Sequence, residues 1–359
     1  KIKIGFISEF FCNHTIGKLF KGIIFNLDQT KFDIIIFHSH QTEKTSIFKE
    51  FLNKDTKNFK NIILPKNIKE GRKLIENQNL DILFFTDIGM SSGLYYYSFF
   101  KLAKTQMTTW GHPETSGNEM INYFLSSKLI EVENAQDNYT EKLLLTSVLP
   151  MYFYKPKINN QLSEAQINTM NIYSCPQSLF KIHPDFDLIL KSILKKDKKA
   201  KIYFLKDRDK FFFNKLYDRF KKTLLGDIDR CLFLDQLSYE DFINHCGSAS
   251  VILDPYYFGS GTSFHETMFY GTPTVSKPTK FMKSRVVLGA YKQMEIKNAP
   301  IAKSDEEYVD LSIEIANDKK KNLELKKLLR DSAEKKLYEN KKIISEIDQI
   351  FERICINSN

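Results

Sequence analysis

The chain has 359 residues, 42% of them hydrophobic, and carries 53 Lys and Arg against 44 Asp and Glu, a formal net charge of +9. That length predicts a large core and two domains, and no apolar run approaches the length of a membrane-spanning helix. The five cysteines, Cys12, Cys175, Cys231, Cys246 and Cys355, form no C-x-x-C pair, which suits a reduced, cytoplasmic protein without a disulfide framework.

In chain order, the first predicted strand is Ile2-Lys3-Ile4-Gly5-Phe6-Ile7, followed by a loop from Ser8 to His14. Ile16, Leu19, Phe20, Ile23, Ile24 and Leu27 then recur at helical spacing, the stripe of an amphipathic helix. Further strands are expected near Asp33–Phe37, Asn61–Leu64, Leu80–Phe85 and Gln106–Thr109, with helical stretches between most of them. Strands alternating with helices predict parallel sheets covered on both faces. Around Met151–Ser163 the pattern lapses into a linker with Pro150, Pro156, Asn159 and Asn160. A second series opens at Asn171–Cys175, with strands near Lys201–Leu205, Cys231–Leu234, Ser250–Asp254 and Thr274–Ser276. From Asp305 to about Ile354 the chain reads as charged helix without glycine. The expected architecture is α/β: a Rossmann-like domain over 1–155 and a second over 156–359, the latter closed by helices, with a cleft between them.

The densest site signal is DPYYFGSGTSFHETMFYGTP, Asp254 to Pro273. An apolar strand ends at an acid, enters a loop with Gly259 and Gly261, and leads into a short helix. In open α/β sheets, ligands sit beyond the carboxyl ends of the strands, and a glycine loop opening a helix there offers free N–H groups to an anion. Ser263-Phe264-His265-Glu266 matches a capping box; the same geometry lets Glu266 accept from the hydroxyls of a ribose. Both readings of Glu266 stay open. Lys181, in the loop Gln177-Ser178-Leu179-Phe180-Lys181 after the first strand of the second half, is either a surface lysine or a cation for a diphosphate.

Three loops of the first half carry further chemistry. His14, between Asn13 and Thr15, stands at a helix start, where either neighbour can cap and the imidazole can act as donor or general base. Asp87 follows the strand Leu83-Phe84-Phe85, and Trp110-Gly111-His112-Pro113-Glu114-Thr115 follows another, a composition suited to a cleft wall. No His/Cys/Asp cluster has metal-ligand spacing, and neither a nucleophile elbow nor a Walker loop occurs. The basic runs Lys195 to Lys199 and Lys319 to Lys327 lie among acids and read as solvated surface rather than a nucleic-acid stripe.

SCPQSLFKIHPDFD, LFLDQLSYEDF, VILDPYYFGSGTSFHETMFYGTPTVSKP and QMTTWGHPETSG together resemble bacterial SPINDLY/O-GlcNAc-transferase-like proteins of glycosyltransferase family 41. FTDIGM and WGHPETSG are also similar to bacterial cytoplasmic N-glucosyltransferases that modify adhesins. The resemblance runs from Lys1 to about Lys335. It implies a GT-B fold and an inverting transfer of a hexose or N-acetylhexosamine from a UDP-sugar to an acceptor of protein or peptide type. No metal ion or other cofactor, no nucleic acid and no membrane span are implied. By position, Lys181 would hold the donor diphosphate with Ser178 and Gln177 beside it. The Gly259–Gly261 loop, Thr262 and Ser263 would meet the phosphates, and Glu266 the ribose. Leu237, Tyr239 and Phe242 would line the base pocket, while His112 and Thr115 would face the phosphates from the first half. His14, Asp87 and His112 are the catalytic candidates for the general base. The chain departs from the eukaryotic enzymes at Gly261, where they carry histidine, and at Glu266, where they carry aspartate; it shows no tetratricopeptide repeat. Two other classes are weighed beside this one: a nucleotide-sugar epimerase on the same fold, and a non-catalytic basic module for polyanions or nucleic acid.

Overall fold

The computed structural model describes residues 1–53, 59–167 and 169–357. The chain divides into two compact units, 1–154 with 339–359, and 155–338.

The first unit is a sheet of seven strands: β1 (Ile2–Ser8), β2 (Phe32–Ser39), β3 (Lys60–Leu64), β4 (Leu80–Phe85), β5 (Ala103–Thr109), β6 (Tyr123–Ser127) and β7 (Lys142–Thr146). Their order is β3-β2-β1-β4-β5-β6-β7, with every pairing parallel. Helices cover both faces, so the central strands are buried runs rather than alternating ones: Ile34, Ile35, Ile36 and Phe37 are all buried. The six apolar positions of the helix Thr15–Asn26 and its C-cap form the predicted stripe and are buried. Strands β6 and β7 lie outside the strands expected from sequence. Only a short 3-10 turn, Ala135–Asn138, separates them, so the strand-helix alternation that reveals the others is missing there.

The sequence reading puts the C-terminal segment from 339 in the second domain, whereas residues 339–357 belong to the first unit. The helix Lys342–Asn357 buries Ile343, Ile347, Phe351 and Ile354. The Phe351 ring lies 6.0 Å from that of Phe32, 6.1 Å from Phe84 and 6.4 Å from Phe6. Full burial of such a ring contributes roughly 1.5–3 kcal/mol. The helical stripe is visible in sequence, but a stripe does not say which sheet it covers.

The second unit holds β8 (Ile172–Cys175), β9 (Lys201–Leu205), β10 (Cys231–Leu234), β11 (Val251–Leu253) and β12 (Thr274–Val275), in the parallel order β10-β9-β8-β11-β12. Its core joins strands and helices through Tyr173, Phe186, Ile202, Phe204, Phe220, Leu253 and Tyr308. One lysine of the basic run is not solvated: Lys326 is buried, and its Nζ donates to the carbonyls of Ile167 (2.6 Å), Ala249 (2.8 Å) and Gly247 (3.2 Å). It thereby satisfies carbonyls at the end of the helix Tyr239–Ser248. Burial lowers its pKa to about 8.

In both sheets the strand order reverses beside the first strand of the series, between β1 and β4 and between β8 and β11. The loops after those strands therefore flank the crevice where open α/β sheets bind ligands.

Candidate functional site

In the second unit, the loops after β8 and β11 meet through side chains. Gln177, 4% exposed, donates from Nε2 to Ser263 Oγ at 2.7 Å and to Ser260 Oγ at 2.9 Å. Its Oε1 accepts from Lys181 Nζ at 3.2 Å. Lys181 Nζ also donates to the Gly259 carbonyl at 3.2 Å and lies 4.2 Å from the centroid of the Phe258 ring, a cation–π arrangement. Lys181 is thus half-buried and tied to both loops. Desolvation lowers its pKa to about 8, against the opposing pull of the Asp254 carboxylate.

Asp254 lies beneath the glycine loop and was not among the site residues read from sequence. It is 2% exposed; one carboxylate oxygen accepts from the Ser260 N–H and the other from the Ser276 hydroxyl, each at 2.6 Å. Burial pushes its pKa up, and the hydroxyls of Ser276 and Ser260 pull it back. A Cβ on Gly259 would stand 2.7 Å from that carboxylate, so the loop can close on the acid only with glycine there. The signal for Asp254 was in the sequence: an acid ending a buried strand directly before a glycine loop.

The capping-box reading of Ser263 does not hold. The short helix runs Thr262–Thr267 with Gly261 as its N-cap and no side-chain cap. Ser263 lies inside the first turn, so its hydroxyl is not at the cap position that the box requires, and it accepts from Gln177 instead. Thr262 is 7% and Glu266 6% exposed. Tyr239 opens the helix Tyr239–Ser248, whose N-cap Ser238 accepts from the Asp241 N–H. Burial and then the Glu266 charge push the Tyr239 phenol up, which puts these two residues within electrostatic reach of each other. Phe242 instead packs on Cys246, Ala249 and Ile252. Leu237 is half-buried in the preceding loop, and Ser178 starts the 3-10 turn Leu179–Lys181.

In the first unit, the loops after β1, β4 and β5 carry the other predicted residues. His14 is itself the N-cap of the helix Thr15–Asn26, with Nδ1 accepting from the Ile16 N–H at 3.3 Å and the ring stacked 4.5 Å from Phe10. Neither Asn13 nor Thr15 caps it; Asn13 Oδ1 accepts from the Ser46 hydroxyl and the Ile47 N–H instead. Burial, then Lys18, lowers the His14 pKa. With Nδ1 accepting, the neutral ring carries its proton on Nε2. Asp87 is 6% exposed; Oδ1 accepts from the Thr86 hydroxyl at 2.6 Å, and Oδ2 has no hydrogen-bond partner among the described residues. Burial raises its pKa to about 6. The His112 ring lies over Gly89, which has φ of +100° and leaves no room for a Cβ, 2.9 Å from that ring. Ser91 Oγ donates to Glu9 at 2.6 Å, joining the β1 and β4 loops. Thr115 is committed elsewhere: its hydroxyl donates to the buried Glu141 carboxylate at 2.7 Å.

Residues 1–155 match the family model Glycosyl transferase family 41. Over 265 residues the chain is 22% identical to the UDP-glucose:protein N-beta-glucosyltransferase of Actinobacillus pleuropneumoniae serotype 5b (strain L20), covering 72% of this chain and 42% of that protein. Over 349 residues it is 22% identical to the probable UDP-N-acetylglucosamine–peptide N-acetylglucosaminyltransferase SEC of Arabidopsis thaliana, covering 92% of this chain and 35% of that protein. The chain therefore spans less than half the length of these curated relatives. A solved O-GlcNAc transferase variant of Thermobaculum terrenum superimposes with a TM-score of 0.88 at 17% identity, covering all of this chain and 68% of that one. The α/β fold, with two parallel sheets and a helical C-terminal part, is that of GT-B proteins.

Proposed function

We propose that this chain, which is like glycosyl transferase family 41, transfers a hexose or N-acetylhexosamine, glucose or N-acetylglucosamine by preference, from a UDP-sugar to a protein side chain. The observation that carries this reading is the array of Lys181, Gln177 and the Gly259–Ser263 loop at the reversal point of the second sheet. A half-buried ammonium beside a loop that opens a helix without a side-chain cap is suited to the charge of a departing diphosphate. Glu266 is proposed as the ribose contact and Tyr239 as a wall of the base pocket. Names of relatives that use UDP-glucose or UDP-N-acetylglucosamine on protein or peptide support the donor and acceptor classes.

The proposed chemistry is a single inverting displacement. An acceptor hydroxyl or amide attacks the anomeric carbon, the bond to the β-phosphate oxygen breaks, and UDP leaves with the electron pair. Lys181 takes the charge-neutralising role, without a metal ion. The acceptor proton goes to a base in the first unit. Asp87 suits that role better than His14: its Oδ2 has no geometric hydrogen-bond partner among the described residues, and burial raises its pKa to about 6 against the pull of the Thr86 and Ser8 hydroxyls, whereas the lone pair on His14 Nδ1 is engaged by the Ile16 N–H. His14 is then a donor through Nε2, and His112 a second polar group of the same unit. A reducing, cytosolic setting is proposed from the five free cysteines, four of them buried; among the described residues no helix is long and apolar enough to cross a membrane.

A thermal-shift screen against UDP, GDP and their sugars tests the donor, since a ligand that binds only the native state raises the melting temperature. A shift with UDP and its sugars, followed by hexose-sized mass gain on an acceptor protein, is the expected result. Stabilisation by neither nucleotide would remove the donor-site reading. Epimerised donor without any acceptor would replace transfer by epimerisation.

A further inference from the structure

The donor-site array has a second layer. The peptide group between Gly259 and Ser260 is gripped from both ends: its carbonyl accepts from Lys181 Nζ at 3.2 Å, and its N–H donates to Asp254 at 2.6 Å. Opposite charges therefore sit at the two poles of one peptide dipole, an arrangement in which each hydrogen bond polarises the other. Asp254 is fixed in turn. Its backbone N–H donates to Val275 and its carbonyl accepts from the Tyr308 hydroxyl at 3.1 Å, while Ser276 holds the second carboxylate oxygen. A carboxylate this deeply buried is costly unless paired and hydrogen-bonded. Here both oxygens accept, and the ammonium lies one peptide away.

Ser260 N–H is consumed by this grip, so an incoming anion finds the N–H groups that follow it. Gln177 completes the frame by holding the hydroxyls of Ser260 and Ser263 as acceptors, which aims their own protons elsewhere. We propose that Asp254 is the positioning residue of the donor site: it acts through the Gly259–Ser260 peptide to hold Lys181 in place and to present the next amides to a nucleoside diphosphate, without touching the ligand. This rests on the donor-site reading above.

The neighbours of Lys181 make the role measurable. The groups that face it are Asp254 at the end of β11, the Cys175 thiol at the end of β8, held neutral by burial, the Phe258 ring and the amide of Gln177. His183 stands on its own segment, and Asp207, in the loop after β9, accepts from the Leu179 N–H. Asp254 is the buried negative charge that keeps Lys181 protonated, so removing that charge should lower the pH at which Lys181 loses its proton.

The test is calorimetric binding of UDP to the full chain from pH 6.5 to 9.5. Asp254→Asn keeps an acceptor for Ser260 and can donate to Ser276, so the melting temperature of the free protein should stay close to wild type. Its UDP affinity should fall about tenfold at pH 7.5, and the alkaline loss of binding should move down by about one pH unit. Ser276→Ala, which removes a hydrogen bond but not the charge, should leave that midpoint in place. In a Lys181→Met background, Asp254→Asn should change affinity less than about twofold, because coupled residues are non-additive. An unmoved midpoint together with additive losses overturns the proposal and leaves Asp254 as a loop anchor only. Absence of UDP binding to the wild type overturns the donor-site reading itself, a result distinct from either.

Discussion

Lys181→Met is the substitution with the best-defined consequence. A hydrogen bond between a charged donor and a phosphate is worth about 1.5–3 kcal/mol, so UDP affinity should fall about 10- to 150-fold at pH 7. The pH dependence is sharper evidence. With a pKa of about 8, Lys181 is roughly nine-tenths protonated at pH 7 and roughly one-tenth at pH 9. Wild-type affinity should therefore be level below pH 7 and fall by up to about tenfold per pH unit above 8, while the variant shows no such fall. Stability should move the other way. The folded pKa lies below the unfolded one near 10.5, so the unfolded chain holds the proton more tightly and the charge destabilises the free protein below pH 8. That stability is regained as pH rises from 8 to 10.5. The cost at pH 7 is at most about 3 kcal/mol, less for a side chain that keeps some solvent. The variant should melt at or above the wild-type temperature while binding UDP worse. Calorimetry and thermal melting over pH 6.5–9.5 read both effects. Equal UDP affinity, or superimposable pH profiles, would refute the assignment.

Asp87→Asn should retain UDP affinity within about twofold yet lose about 100-fold or more in turnover. Wild-type turnover should decline as pH falls through about 6, where the buried carboxylate takes up its proton; a flat acid limb would remove it as base. His14→Ala should cost about 1 kcal/mol through loss of the N-cap. His14→Asn should recover that stability without recovering turnover, and a larger turnover loss than in Asp87→Asn would transfer the base role to His14. Gly259→Ala drives a Cβ to 2.7 Å from the Asp254 carboxylate; UDP affinity should drop at least about tenfold with a stability loss of about 1–3 kcal/mol, and a wild-type Kd would show that the loop tolerates the shift.

What could be read in advance follows from where patterns are local. The helix stripe from Ile16 to Leu27 and the strand-helix series that yield β1 to β5 and β8 to β12 are written in short-range periodicity, and the two loops that build the donor array sit at strand ends visible in sequence. The pair β6 and β7 escaped because no helix separates them. The last helix carried a clear apolar stripe, but its docking on Phe6, Phe32 and Phe84 is set by contacts more than 250 residues away. Ser263 followed by Glu266 matched a cap motif by spacing alone; Gly261 takes the cap because the helix begins at Thr262, ahead of Ser263. Thr115 looked available for phosphate until Glu141, on the far side of β6, claimed its hydroxyl. Asp254 and Lys326 share one lesson. A charged residue in a run of letters looks solvated, and only the fold reveals the carbonyls, hydroxyls and peptide groups that allow its burial.

The most direct test of the central claim is a crystal structure of the protein with UDP. Phosphate oxygens should lie within hydrogen-bond distance of Lys181 Nζ and of the N–H groups at the start of the helix Thr262–Thr267, with a ribose hydroxyl on Glu266 and Asp254 still holding the Ser260 N–H without touching the nucleotide. UDP seated away from the β8 and β11 loops, or bound there with Lys181 turned from the diphosphate, would contradict that claim.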